Sequence, residues 1–229
     1  MQHTFGKTII IGLGGSVMYP ETIDTAFLKK FNAFVRKRLD NNRFIIVVGG
    51  GRTARIYQEA AAKVVKTSNE DKDWLGIHAT RANGHLLRAI FADVADPTVI
   101  DVRGKIQKLQ YPITIAAGWR PGWSTDYVAV ALAEDFNIKE VIAAGKPDYI
   151  YDKDPSKYKN AKPFDYLLWS EYRAMIPNEW IPGAHAPIDT VAAKAAAEAH
   201  KTVIVINPKD FLNFGNLLAG KNFKGTVVF

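Results

Sequence analysis

The chain contains no cysteine among its 229 residues. Disulfides, thiolate metal sites and cysteine nucleophiles are thereby excluded, and an intracellular, cytoplasmic location is the expectation. No apolar run approaches the roughly 20 residues that a membrane-spanning helix needs, and the opening MQHTFGKT has no signal-peptide core. A soluble protein with no membrane partner is therefore expected. Basic runs are lacking too. Thirty Lys and Arg against 23 Asp and Glu give a net charge of +7, yet no five basic residues adjoin and no nucleic-acid motif is visible. A scattered excess of this kind suits phosphorylated small molecules, so nucleic acid is not the expected partner. Repeats, low-complexity segments and obvious linkers are also absent, which favours a single domain over residues 1–229.

What the chain does have is regular alternation. Lys7 to Leu13 reads as a buried strand, and Thr22 to Leu39 as a helix with Phe27, Phe31, Phe34 and Val35 on one side. Arg43 to Val48 is a second buried strand, followed by a helical stretch from Thr53 to Val65. Helices are expected over Trp74 to Ala92, Thr125 to Phe136 and Ala192 to Ala199, with strands over Thr98 to Val102, Ile113 to Ala116, Glu140 to Ala144 and Thr202 to Ile206. Asp148 to Asp154 reads as a hairpin or loop, Phe211 to Leu218 as a helical turn, and Gly225 to Phe229 as an edge strand. Such alternation implies an α/β fold with a mainly parallel sheet covered on both faces. With 48% hydrophobic residues the core can be substantial.

Three glycine-rich turns punctuate this pattern. Gly14, Gly15 and Ser16 follow the first strand, Gly49 to Gly51 follow the second, and AGWRPGWSTD at 117–126 leads into an Ala-rich helix. In parallel sheets ligands bind at the carboxyl ends of the strands, where glycine lets backbone approach phosphate closely. GLGGS is not a dinucleotide fingerprint, because the third glycine would fall at Val17, and no Walker A sequence occurs. Three glycines weaken a helix start unless bare backbone is needed there. Arg55, one turn further on, either clamps a phosphate or is a solvated charge. Ser124 and Thr125 either leave helical N–H groups facing an anion or simply cap a core helix.

GGS, GGGRTAR, DWLGIHATRANGHLL at 73–87, PGWSTDYVAVALAE, DYIYDKDP at 148–155 and PIDTVAAKAAAE at 187–198 occur in that order. Together they resemble the amino acid kinase superfamily, most closely the uridylate kinases of its archaeal-like branch. The resemblance spans nearly the whole chain. It implies a three-layer α/β/α sandwich that moves the γ-phosphoryl of ATP, with magnesium, to the phosphate of UMP. The acceptor side would be built from about residues 1–136 and the ATP side from about 137–229, and the family suggests a homo-oligomer, a hexamer. An already ionised acceptor needs no general base, so catalysis reduces to in-line positioning and charge neutralisation.

By motif, Gly14, Gly15, Ser16 and Gly51 resemble the amides that hold the ATP phosphates and the transferred group, with Arg55 beside them, and Gly50 would lie near the acceptor phosphate. Asp73 matches the acidic residue that holds the UMP ribose hydroxyls; it is equally a carboxylate suited to a helix N-terminus. Asn83 matches a polar residue near the acceptor phosphate, or bonds locally. Gly118, Trp119, Arg120, Gly122, Ser124 and Thr125 would wrap the acceptor. Asp126 and Asp189 match the two family aspartates that organise the phosphates or the metal, and each could instead be an N-cap. Lys146, Asp148, Tyr151 and Asp154 resemble contacts to ATP. No side chain is assigned as a metal ligand.

Four departures stand out. Gly12 occupies the place where many members carry a lysine; Tyr149 replaces a glycine in the Asp-Gly-Val-Tyr segment; Trp119, Arg120 and Trp123 crowd the acceptor turn; and IPGAHAPID at 181–189 carries His185, either a phosphate contact or a loop residue. Two other readings follow from them: the same fold acting on another phosphate, carbamate or carboxylate, and a nucleotide-binding sensor or storage protein without chemistry.

Overall fold

The computed structural model describes residues 1–177 and 186–229; His185 lies outside them. Two runs rich in β-branched residues form the centre: β1 (Thr8–Leu13, TIIIGL) and β2 (Arg43–Val48, RFIIVV), paired in parallel from Thr8 with Arg43 to Leu13 with Val48. With β3 (Ile113–Ala116), β4 (Glu140–Ala144), β7 (Tyr166–Leu167), β8 (Thr202–Ile206) and β9 (Thr226–Val228) they make one sheet in the order β3-β2-β1-β4-β8-β9-β7. Only the β8–β9 pair is antiparallel. A separate hairpin joins β5 (Ile150–Tyr151) to β6 (Pro163–Phe164).

Strand periodicity divides the core into two layers. Ile9, Ile11 and Leu13 of β1, with Phe44, Ile46 and Val48 of β2, pack on α2 (Thr25–Arg36), the second half of α4 (Asn69–Ile90) and α8 (Phe211–Leu218). Ile10, Ile45 and Val47 face the other way, onto α5 (Thr125–Asp135), α6 (Trp169–Met175) and α7 (Thr190–Glu198). The result is the expected three-layer sandwich. A one-turn helix, α1 (Gly15–Met18), and α3 (Gly51–Val64) complete the order; α3 packs chiefly on α4 and buries none of its side chains fully.

Several expectations are corrected. Thr98 to Val102 is not a strand: Asp96 Oδ1 accepts from Thr98 N–H at 2.8 Å and closes a turn beside Pro97, leaving Ile100 a single bridge to Ala116. The C-terminal strand is not at the edge, because β7 pairs beyond it. Asp148 to Asp154 contributes one strand of the β5–β6 hairpin. Thr226 ties that hairpin to the sheet: its buried hydroxyl accepts from Ile150 N–H at 2.8 Å and donates to Phe164 O at 2.5 Å. The helix α6 has no counterpart among the sequence expectations.

The glycine turns after β1 and β2 meet backbone to backbone. A Cβ on Gly15 would overlap Gly51 N and lie 2.6 Å from Gly49 O, and Gly51 itself has φ +62°. At Gly12, by contrast, a Cβ would meet nothing nearer than Ile142 O at 3.6 Å. Gly15→Ala is therefore expected to cost roughly 1–3 kcal/mol or more through overpacking, while Gly12→Ala leaves stability nearly unchanged. Thermal denaturation of the two variants checks this, and equal midpoints would contradict it.

Candidate active site

Parallel strands put the turns after β1, β2, β3 and β4 at one edge of the sheet, and a cleft of about 260 Å³ opens there. Gly50, Gly51 and Arg55 from the start of α3 form one wall, Asp73, Ile77 and Thr80 of α4 another, and Gly118 with Trp123 to Asp126 a third. Asp189, ahead of α7, closes the floor. Thus Gly50, Gly51, Arg55, Asp73, Gly118, Ser124, Thr125, Asp126 and Asp189, nine of the residues singled out by sequence, converge on one cavity.

The start of α3 has no side-chain cap; Arg52 N–H donates to Tyr19 O at 3.0 Å, and the N–H groups beside it are left for a ligand or water. The start of α5 is closed instead. Ser124 Oγ accepts from Tyr127 N–H at 2.9 Å and also pairs with Asp189 Oδ2. Asp189 caps α7 through Oδ1, accepting from Val191 N–H at 2.9 Å and Ala192 N–H at 3.1 Å. Both readings of Ser124 and Asp189, cap and cleft residue, therefore hold together. Tyr172 of α6 fixes this strap: its hydroxyl donates to Ile188 O at 2.6 Å and accepts from Ile188 N–H at 2.8 Å. Burial and the two nearby carboxylates push the Tyr172 phenol up, so it remains a neutral donor.

Asp126 is not an N-cap, because Ser124 caps α5 and places it in the first turn; it reaches the cleft but is otherwise enclosed by protein. Desolvation first, then the charge of Asp189, pushes its carboxyl from 3.8 to about 7, against the pull of the Asp189 N–H. Asp189 is likewise raised by burial, opposed by Ser124 and its helix N–H donors. Behind Asp126 lies a void of about 10 Å³ lined by Gly12, Ala129, Val141, Ile188 and neighbours, with no cation among them. Among the described cleft residues Arg55 is the one cation, against Asp73, Asp126 and Asp189.

Other expected residues sit beside the cleft. Asn83 is buried and donates from Nδ2 to Gly49 O at 2.8 Å and Gly50 O at 3.2 Å, so its amide faces the carbonyls of the glycine turn. Gly122 N–H donates to Asp73 Oδ2 at 2.8 Å. Trp119 is in the core, and the exposed Arg120 lies over the Trp123 ring at 3.8 Å. Gly14 packs against Ala144 and Gly145 after β4, Gly15 against the second glycine turn, and Ser16 follows in α1. Lys146 and Asp148 are exposed in the turn after β4, and Tyr151 lies on the hairpin, edge-on to Tyr149 at 6.2 Å. Asp154 is engaged in a local turn, accepting from Ser156 N–H at 2.9 Å. Sequence reasoning passed over Gln58, Thr80 and Arg81. The last two lie seven and eight residues after Asp73 on a helix, a spacing that places all three on one face and could have found them.

Because the folded protein holds a proton on Asp126 that the unfolded chain has released, stability from this group falls as pH rises between about 4 and about 7. The thermal midpoint is expected to drop from about pH 5 to about pH 8. In Asp126→Asn that drop flattens, and the variant becomes the more stable at the upper end. Superimposable pH profiles would remove Asp126 as the cause.

Residues 7–207 match the sequence model of the Amino acid kinase family. The uridylate kinase of Thermococcus kodakarensis is 35% identical over 224 residues, covering 96% of this chain and 98% of that protein. That of Methanocaldococcus jannaschii is 34% identical over 213 residues, covering 90% and 93%. The crystal structure of uridylate kinase from Archaeoglobus fulgidus superimposes with a TM-score of 0.81 at 28% identity, covering 98% of this chain and all of that one. UMP kinase from Bacillus anthracis, 18% identical with a TM-score of 0.79 over 99% and 96% of the two chains, shares the fold. With its glycine turns and paired aspartates at the same sheet edge, the chain belongs to the amino acid kinase family.

Proposed function

We propose that the protein is an ATP-dependent nucleoside monophosphate kinase that phosphorylates UMP. The observation that carries this is the convergence, in one cleft, of an uncapped glycine helix start with Arg55, the carboxylate of Asp73, and the buried Asp126–Asp189 pair. An anion suits the first, a ribose diol the second, and a site of phosphoryl transfer the third. The names of the archaeal relatives support the same acceptor. In the reaction an oxygen of the UMP phosphate bonds to the γ-phosphorus, the bond to the β,γ-bridging oxygen breaks, and ADP leaves with that electron pair. The chain's part is to align the two phosphates: Gly50 and Gly51 N–H groups and Arg55 bind, Asp73 orients the ribose through the oxygen that Gly122 leaves free, and Asn83 holds the turn. Gly14, Gly15, Ser16, Lys146, Asp148, Tyr151 and Asp154 would serve the ATP side.

Among the described residues no three His, Cys, Asp or Glu side chains come together to cage a metal. Magnesium, however, is commonly held by one or two carboxylates plus substrate phosphates. Asp126 and Asp189 fit that pattern, and a cleft with three carboxylates and one cation favours phosphates that arrive with a counter-ion. When bound, the ion would neutralise charge on the transferring group.

The reading extends to assembly and location. No helix among the described residues is long and apolar enough to cross a membrane, and the lack of cysteine suits the cytoplasm. Ile56, Tyr57 and Val64 leave an apolar stripe on α3, with Val64 88% exposed, which supports a homo-oligomer; a hexamer is the family's suggestion. Sedimentation is expected to give a species heavier than the 25.4 kDa chain, and a monomer at micromolar concentration would remove this part.

A coupled assay of ADP release with ATP and magnesium, across UMP, CMP, AMP, GMP and isopentenyl phosphate, is expected to give turnover with UMP alone. Asp126→Asn is expected to lower turnover by about a hundredfold or more with the fold intact. Gly12, which leaves the void beside Asp126 without a cation, favours the sensor reading; it would stand if every acceptor were silent while calorimetry registered ATP or UMP binding.

A further inference from the structure

The turn between β3 and α5 carries the third wall of the cleft, yet it has no regular secondary structure of its own. Its main chain is held by one face of α4. Thr80 Oγ1 accepts from Gly118 N–H at 2.8 Å while donating to Ile77 O at 2.6 Å, and Asp73 Oδ2 accepts from Gly122 N–H. Between them stands Arg81. Its Nε donates to Gly118 O at 3.3 Å, and its Nη2 to Asp101 O at 3.1 Å and Trp119 O at 3.2 Å. Three carbonyl dipoles thus point at one guanidinium. Each is a charge-assisted bond, and together they draw two segments already joined through Ile100, which bridges Ala116 and accepts from Ala117 N–H at 2.9 Å, onto the same helix.

The contact is tight as well as charged. A Cβ on Gly118 would lie 2.9 Å from Thr80 Oγ1, so the turn rests directly on α4. Without the cation the three carbonyl oxygens would repel one another, and the simplest relief is for Gly118 and Trp119 to move away from the helix. That displacement would widen the cleft at its Gly118 wall. Arg81 does not itself line the cleft.

We infer that Arg81 is a positioning residue of the acceptor pocket: by holding the carbonyls of Asp101, Gly118 and Trp119 it fixes the turn that forms the third wall of the cleft, and so sets the affinity for the phosphate acceptor without touching it. This rests on the reading of the cleft as the acceptor site. Arg81→Met keeps most of the side-chain volume and removes the donors; Arg81→Lys restores a cation that can serve some of the three carbonyls but not the planar fork.

The experiment is steady-state kinetics of wild type, Arg81→Met and Arg81→Lys with UMP and MgATP varied separately, alongside hydrogen exchange of the segment spanning Gly118 to Trp123. Arg81→Met is expected to raise KM for UMP at least tenfold and KM for ATP less than twofold, with faster exchange at the Gly118 and Gly122 amides. Arg81→Lys should recover part of both changes. An unchanged KM for UMP, an equal rise in both KM values, or a loss confined to kcat would overturn the inference. Should Arg81→Met fail to fold, the same split, smaller in size, is required of Arg81→Lys. A wild-type protein that turns over no acceptor overturns the pocket assignment and this inference with it, whereas wild-type turnover with an indifferent Arg81→Met overturns this inference alone.

Discussion

The close approach of Gly15 to Gly51 governs the architecture of the site. Two adjacent parallel strands end in register, Leu13 beside Val48, so the chains leaving them must pass within van der Waals distance of each other. Neither turn can carry a side chain at the crossing. Once the backbones touch, α1 and α3 begin side by side: Tyr19 O, just after α1, takes the Arg52 N–H, and the glycine N–H groups at the start of α3 are left without a side-chain cap at the cleft. The glycines thus do two things with one property. They let the strands stay packed, and they leave no side chain between the helix start and a ligand.

The opposite side of the cleft obeys an electrostatic constraint. Asp126 and Asp189 are buried near each other, a costly arrangement for two carboxylates, and the surroundings offset it with neutral donors instead of cations. Ser124, the first N–H groups of α7 and the Ile188 strap pinned by Tyr172 all serve that purpose. The cost is consistent with a site that waits for positive charge to be delivered with its substrate. Gly12 sharpens the point, since it leaves no cation behind Asp126.

The central strands, the helix from Thr125 and the three glycine turns were legible because each is a local pattern: β-branched runs, a capped Ala-rich helix, glycine where backbone is needed. The rest depends on partners distant in sequence. Thr98 to Val102 has strand-like residues, but the Asp96–Pro97 turn ahead of it takes the pairing away. The order β8-β9-β7 depends on a two-residue strand too short to announce itself, and α6 is held by Trp169 Nε1 donating to Lys201 O and by Tyr172 reaching Ile188. Within the site, Asp126 and Asp189 could be read from motifs, whereas Thr80 and Arg81 share a helix face with Asp73 but bond to main chain 20 to 38 residues away, partners that no local pattern names.

The hydroxyl of Thr226 has a mechanical consequence. The β5–β6 hairpin has two-residue strands and lies outside the main sheet, so by itself it has little to fix its position. One oxygen, shared between Ile150 and Phe164, couples it to the last strand of the chain. Tyr151 is therefore aimed from the C-terminus: a change in how Thr226 to Val228 sit against β8 is transmitted to the hairpin as a rigid displacement, at a point remote from the cleft itself.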